Sequence, residues 1–332
     1  MLAKRFSVRQ YVEGIREGNR SVLSRGISLV ESELESDRTL ANELIQCLLP
    51  YTGKAVRIGV SGIPGVGKST FINSFGGLLI AKGHHPAVLT VDPSSSKTKG
   101  SILADKTRME TLSHHPNAYV RPSPAGPSLG GISAKTRETM LLCEAAGFDR
   151  ILVETVGVGQ SETAVKQMVD VFLLLLITGA GDELQGIKRG IMEWADIFVI
   201  NKADGTNNAE AEKMKQTLQT VLHLIHPTER GWEPAVKTCS SLNGKGMDDL
   251  LENLEELVFK LKENGHFEQT RKNQQHRWLE DHIAFLLQKK FSEDKAVEQA
   301  KQSAMGDLNQ EKSNPIRLAE DLVRLFFDKK SV

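Results

Sequence analysis

The sequence has no surplus of charge and very little cysteine. Lysine plus arginine number 42 and aspartate plus glutamate number 42, so the net charge is zero. That balance argues against a nucleic-acid binder, which carries a basic excess. The three cysteines, Cys47, Cys143 and Cys239, lie far apart, and no pair has zinc-ligand or redox spacing. They read as small hydrophobes in a reducing compartment. Met1 to Phe6 is too short and too polar for the apolar part of a signal peptide. The longest apolar run, Val171 to Ile177, is too short to cross a bilayer. No membrane contact is expected, and a cytoplasmic location, or an organelle interior, is. There is no internal repeat.

What the chain does have is Gly62-Ile63-Pro64-Gly65-Val66-Gly67-Lys68-Ser69-Thr70. It follows a mostly apolar run, Val56 to Val60, that reads as a buried strand, and it precedes a helical pattern from Phe71. Strand, glycine-rich turn and helix together make a phosphate cradle. Glycines let backbone N–H groups converge on the phosphates, and the new helix points its positive end at the same anion. Lys68 supplies a point charge, and the Ser69 hydroxyl is placed to ligate Mg²⁺.

Around this loop, residues 54–247 alternate strand and helix patterns. Apolar runs at 56–60, 87–91, 151–154, 171–177, 197–200 and 235–239 predict strands. Near-continuous apolar runs separated by helices imply an α/β fold: a mostly parallel sheet covered by helices on both faces. Ligands in such sheets bind at the carboxyl ends of the strands, where polar segments follow each run. Residues 1–53 read as an N-terminal helical extension opening at Ser7, a helix cap, with an acidic break from Glu31 to Asp37. Residues 248–332 read as a C-terminal helical extension and the expected dimerisation region. Within it Lys289 to Gln310 is polar, an exposed helix or loop.

Asn201-Lys202-Ala203-Asp204 follows a predicted strand of the same sheet. An aspartate there can accept both the ring N–H and the exocyclic amine of guanine, a donor pair that adenine lacks. The lysine stem can cover the purine. Ser240-Ser241-Leu242 follows another strand and can offer a backbone N–H to the guanine carbonyl. Glu154, at the end of its strand and before Thr155-Val156-Gly157, can hold Mg²⁺ directly or through water, and the glycine N–H can sense a γ-phosphate. Asp92 and Asp105 are further candidates for the metal. The pairs His84-His85 and His114-His115 each precede a proline and read as surface histidines. Ser94 to Gly131 and Thr178 to Arg189 read as switch segments that order on Mg²⁺ and γ-phosphate.

The residues Val60–Thr70, Val91-Asp92-Pro93-Ser94-Ser95, Val153–Glu162, Gly181–Lys188 and Asn201–Asp204 together resemble the methylmalonyl-CoA mutase-associated GTPases, a metallochaperone-like branch of the P-loop NTPases. The resemblance spans nearly the whole chain. It implies a homodimeric GTPase that binds GTP and GDP with Mg²⁺ and docks on an adenosylcobalamin-dependent acyl-CoA mutase. It would gate cofactor loading and protect or reactivate the mutase. It places Ser69, Asp92, Asp105 and Glu154 at the metal, and Lys68, Asp92, Glu154 and Lys188 in catalysis. Gly181 to Lys188 resembles a third switch, whose Lys188 reaches the nucleotide when the partner docks. The alternative is a P-loop GTPase serving metal delivery or transport. In Ras-like GTPases a glutamine close after the switch glycine orients the attacking water. Here Val158 follows Gly157 and Gln160 comes later, so slow intrinsic hydrolysis is expected.

Overall fold

Long apolar stretches bounded by polar turns make a strand that is buried on both faces. In the computed structural model seven strands, the central ones of this kind, form one sheet: β1 (Val56–Gly62), β2 (Pro86–Val91), β3 (Tyr119–Pro122), β4 (Arg150–Thr155), β5 (Val171–Leu176), β6 (Ile197–Ile200) and β7 (Ala235–Thr238). The structure describes residues 5–91, 109–122, 129–155, 160–179, 189–225, 232–309 and 313–328. The strand order is β3-β2-β4-β1-β5-β6-β7, and all pairings are parallel. β1 therefore lies between β4 and β5, and its carboxyl end shares an edge with theirs.

Alternate residues of each strand feed two separate cores. Leu89, Val153, Phe172, Leu174 and Phe198 face one layer. Val88, Ile58, Val60, Leu152, Leu173 and Val199 face the other. The first layer is built by α1 (Val8–Arg16), α2 (Arg20–Val30), α3 (Glu35–Leu48) and the later helix α6 (Leu129–Ala145). Ser7 caps α1 with a reciprocal bond from Gln10, so the chain enters the fold on a fixed helix start. α7 (Gln160–Lys166) and α9 (Asn208–Ile225) bury Val165, Ala211 and Leu218 in the same layer. The second layer holds α4 (Lys68–Ala81), α5 (Glu110–His114) and α10 (Met247–Glu263). A short helix, α8 (Arg189–Met192), precedes β6. Leu250, Leu251, Leu254 and Leu257 bury one face of α10 against the sheet.

β3 falls inside the stretch that the sequence presents as a switch loop. The strand is four residues long and ends in Pro122. It pairs with β2 alone and sits at the sheet edge, where a proline costs no ladder bond. Tyr119 carries it inward, with its hydroxyl 3.0 Å from Ser24 Oγ.

The chain folds into two compact units, Met1–Gln274 and Gln275–Val332. At the end of the first, early in α11 (His266–Glu293), Arg271 donates to Asp170 Oδ1 at 2.6 Å and to the Ala55 carbonyl at 2.7 Å. This buried pair ties the helix to the starts of β1 and β5. In the second unit α12 (Lys295–Asn309) is capped by Asp294, whose Oδ1 accepts from Ala296 N at 2.9 Å. The described part of the polar stretch is thus helical on both sides of Asp294, up to Glu293 and from Lys295 to Asn309. Phe326 of α13 (Pro315–Asp328) meets Phe291 edge to face.

Candidate active site

β1 runs into the glycine loop at Gly62, whose φ is 153°. A Cβ there would lie 2.6 Å from the Leu175 carbonyl oxygen, so the strand pairing itself demands glycine. Gly67 has φ 93°, and a Cβ on it would lie 2.9 Å from Asn201 Nδ2. Buried Val66 roots the loop, half-buried Ile63 flanks it, and Pro64 and Gly65 form its exposed rim. α4 starts at Lys68 with no side chain capping its amino end. The first-turn N–H groups of such a helix lack intrahelical acceptors and suit a phosphate. Lys68 Nζ folds back on the loop, donating to Gly62 O at 2.7 Å and Ile63 O at 3.2 Å. Burial lowers the Lys68 pKa, while the charges of Glu154 and Glu162 oppose that shift. Thr70 is exposed beside it.

One residue beyond Lys68, the Ser69 hydroxyl donates to Glu154 Oε1 at 3.1 Å. Glu154 is buried near the end of β4, opposite Val60 in the ladder. Strand alternation turns it to the α4 side of the sheet. A hydroxyl and a carboxylate, both hard oxygen donors beside a phosphate cradle, fit Mg²⁺. Asp92, Asp105 and Lys188 lie outside the described residues, as do Gly157 and the Gly181–Lys188 stretch. Val91, the last described residue before Asp92, pairs with Thr155.

The second loop locks onto the first. Asn201 Nδ2 donates to Val66 O at 2.9 Å, and its Oδ1 accepts from Ser241 N at 3.1 Å and Ser241 Oγ at 2.7 Å. The Cys239 thiol also approaches that oxygen, at 3.6 Å, and burial pushes its pKa up to about 12. Lys202, with a left-handed φ of 60°, donates Nζ to Gly65 O at 2.8 Å. Ser240 Oγ donates to Asp204 Oδ2. Leu242 stands 85% exposed at the loop tip. The structure thus gathers Lys68, Ser69, Glu154, Asn201, Lys202, Asp204, Ser240, Ser241 and Leu242 along the carboxyl edge of one sheet.

A profile of the family described as "Methylmalonyl Co-A mutase-associated GTPase MeaB" matches residues 23–296. The chain belongs to this family. It is 52% identical to a probable GTPase of Mycobacterium tuberculosis over 264 residues, 80% of this chain and 79% of the relative. It is 46% identical to GTPase ArgK of Escherichia coli, over 81% of each chain. It is 44% identical to the mitochondrial methylmalonic aciduria type A homolog of Mus musculus, over 83% of this chain and 69% of that one. A crystal structure described as a LAO/AO transport system kinase superposes with a TM-score of 0.75 at 34% identity, covering 98% of this chain and 99% of that one.

This member of the mutase-associated GTPases is a GTPase, with GTP and GDP as its nucleotides. Among its described residues no helix is long and apolar enough to cross a membrane. Three polar features escaped the sequence reading. Asn207 Nδ2 donates to Lys202 O at 2.8 Å while its Oδ1 accepts from the Thr178 hydroxyl, which ties the Asn201–Asp204 loop to the segment after β5. Glu162, buried in the first turn of α7, adds a second negative charge near Lys68. Thr155 Oγ1 bonds Ser61 Oγ across two strands. Glu162 had a signal, its place in the Val153–Glu162 motif. The other two had none: Thr178 and Asn207 lie 29 residues apart, and Ser61 and Thr155 lie 94 apart.

Proposed function

We propose that this GTPase binds GTP with Mg²⁺ on the β1 and β6 loops and couples its hydrolysis to an adenosylcobalamin-dependent acyl-CoA mutase. The observation that carries the reading is Ser69 Oγ at 3.1 Å from Glu154 Oε1, directly beside the Lys68 cradle. Phosphoryl transfer needs positioning and charge neutralisation more than covalent chemistry. The loop amides and Lys68 take the phosphates. Ser69, Glu154, Asp92 and Asp105 would hold the metal, which would supply positive charge against the phosphates. Asp204 reads the guanine edge, Ser240 holds that carboxylate, the Lys202 stem covers the ring, and Ser241 and Leu242 border it.

Intrinsic hydrolysis is slow, because Val158 stands where Ras-like GTPases place a water-orienting glutamine. The docked mutase supplies the acceleration, with Lys188 reaching the nucleotide. In this reading the GTPase gates cofactor loading and protects or reactivates the mutase in the cytoplasm. It acts as a homodimer. Leu279, Ile283 and Leu287 stand exposed at four-residue intervals on α11, and Ile316, Val323 and Phe327 stand exposed on α13. Apolar stripes of that kind suit a partner helix face.

The test is nucleotide turnover by the purified protein with GTP and with ATP, in Mg²⁺ and in EDTA. Turnover of GTP alone, abolished by EDTA, is expected. Equal turnover of ATP, or turnover that survives EDTA, overturns the reading.

A further inference from the structure

β1 and β4 lie side by side, with Val60 opposite Glu154. The residues that follow, Ser61 and Thr155, carry hydroxyls that meet: Thr155 Oγ1 donates to Ser61 Oγ at 2.9 Å. They are 1% and 0% exposed. Side chains alternate along a strand, so these two point away from Glu154, into the layer occupied by Val153, Leu174 and Leu176. Thr155 therefore lies on the opposite face from Ser69. An isosteric valine would pack in the same space, and a buried hydroxyl costs free energy unless it is bonded. What the bond adds is direction. Apolar contacts tolerate a small slide of one strand past its neighbour, whereas a hydrogen bond weakens steeply with misalignment.

Both partners stand at decisive places. Ser61 is the residue before Gly62, where the phosphate loop begins. Thr155 is the residue after Glu154 and the last of β4. We propose that Ser61 and Thr155 are a positioning pair for the metal-dependent step. Their bond clamps the end of β4 to the root of the phosphate loop, and so holds the Glu154 carboxylate at the height of the Ser69 hydroxyl. The inference rests on Ser69 and Glu154 being Mg²⁺-site residues.

The test uses the full-length protein and the variants Thr155→Val, Ser61→Ala, Thr155→Ser and Glu154→Gln. Three quantities are read: the Mg²⁺ concentration that half-saturates GTP hydrolysis, the GDP release rate with and without Mg²⁺, and the melting temperature. Thr155→Val and Ser61→Ala are expected to raise the half-saturating Mg²⁺ about fivefold, what one neutral hydrogen bond is worth. They should speed GDP release in Mg²⁺ and leave release in EDTA unchanged. Thr155→Ser keeps the hydroxyl and should restore both values. A lowered melting temperature with an unaltered Mg²⁺ requirement overturns the inference, as does failure of Thr155→Ser to restore it. If Thr155→Val does not fold, Ser61→Ala decides. Glu154→Gln separates the two levels. If it leaves the Mg²⁺ requirement unchanged, the metal reading falls and the inference with it. If it shifts the requirement and the hydroxyl variants do not, the positioning role alone falls.

Discussion

Asn201 donates its side-chain amide to the Val66 carbonyl at 2.9 Å, across 135 residues of sequence. The same side chain accepts two bonds from Ser241. One buried amide thus joins the phosphate loop, the base loop and the loop after β7. Replacing Asn201 by alanine strands the Val66 carbonyl and the Ser241 N–H, at about 1–3 kcal/mol for each buried group left unpaired. Urea unfolding should report that loss, and nucleotide titration should report weaker binding of GTP and GDP together. Full nucleotide affinity in a destabilised Asn201→Ala would mean that the loops are positioned independently.

Asp204 presents its carboxylate beside Ser240 at the same edge. In the proposed site it accepts two donors from guanine. Asp204→Asn loses one acceptor and gains a donor, which matches xanthine instead. GTP affinity should fall about tenfold or more, the range for a charged hydrogen bond, and xanthosine triphosphate should compete better than GTP. Unchanged GTP preference in a competition assay would remove Asp204 from base recognition.

Acid sensitivity has a definable source at the far edge of the sheet. Burial raises the Asp149 pKa, but the His85 N–H, His84 and Arg150 outweigh it, so the folded carboxyl titrates below its usual range. A depressed carboxylate pKa stabilises the fold above the unfolded-state value, and that contribution disappears as the pH falls through the folded value. Asp149→Asn should therefore melt lower than the parent near neutrality. The gap between them should narrow as the pH falls below the ordinary carboxylate range, and close once Asp149 is protonated in the fold as well. Melting curves across that range check it, and a gap that stays constant contradicts the assignment.

The exposed stripe Leu279, Ile283 and Leu287 yields a test of the homodimer. Ile283→Glu places a charge in a face that association would desolvate. Light scattering should read a dimer for the parent and a monomer for Ile283→Glu. A parent that scatters as a monomer, with or without nucleotide, rules the dimer out.

The central strands were readable from sequence because they are mostly apolar, β5 without interruption: its Phe172, Leu173 and Leu174 are buried whichever face they take. The phosphate loop was readable because a backbone contact at 62, and a left-handed φ beside the Asn201 side chain at 67, force glycine. β3 was hidden: Tyr119–Pro122 is four residues long, and its proline argues against a strand unless the edge position is known. The Ser61–Thr155 bond was hidden for a different reason. Its partners lie 94 residues apart and become neighbours only because β4 inserts between β2 and β1. Sequence motifs thus named the groups of the proposed nucleotide site, while the groups that hold those in place depend on strand order.

The measurement closest to the central claim is the rate of GTP hydrolysis by the purified protein, alone and with an adenosylcobalamin-dependent acyl-CoA mutase from the same source, with ATP as control. The account predicts slow turnover of GTP alone, strong stimulation by the mutase and no turnover of ATP. A fast unstimulated rate that the mutase neither changes nor binds to influence would contradict it.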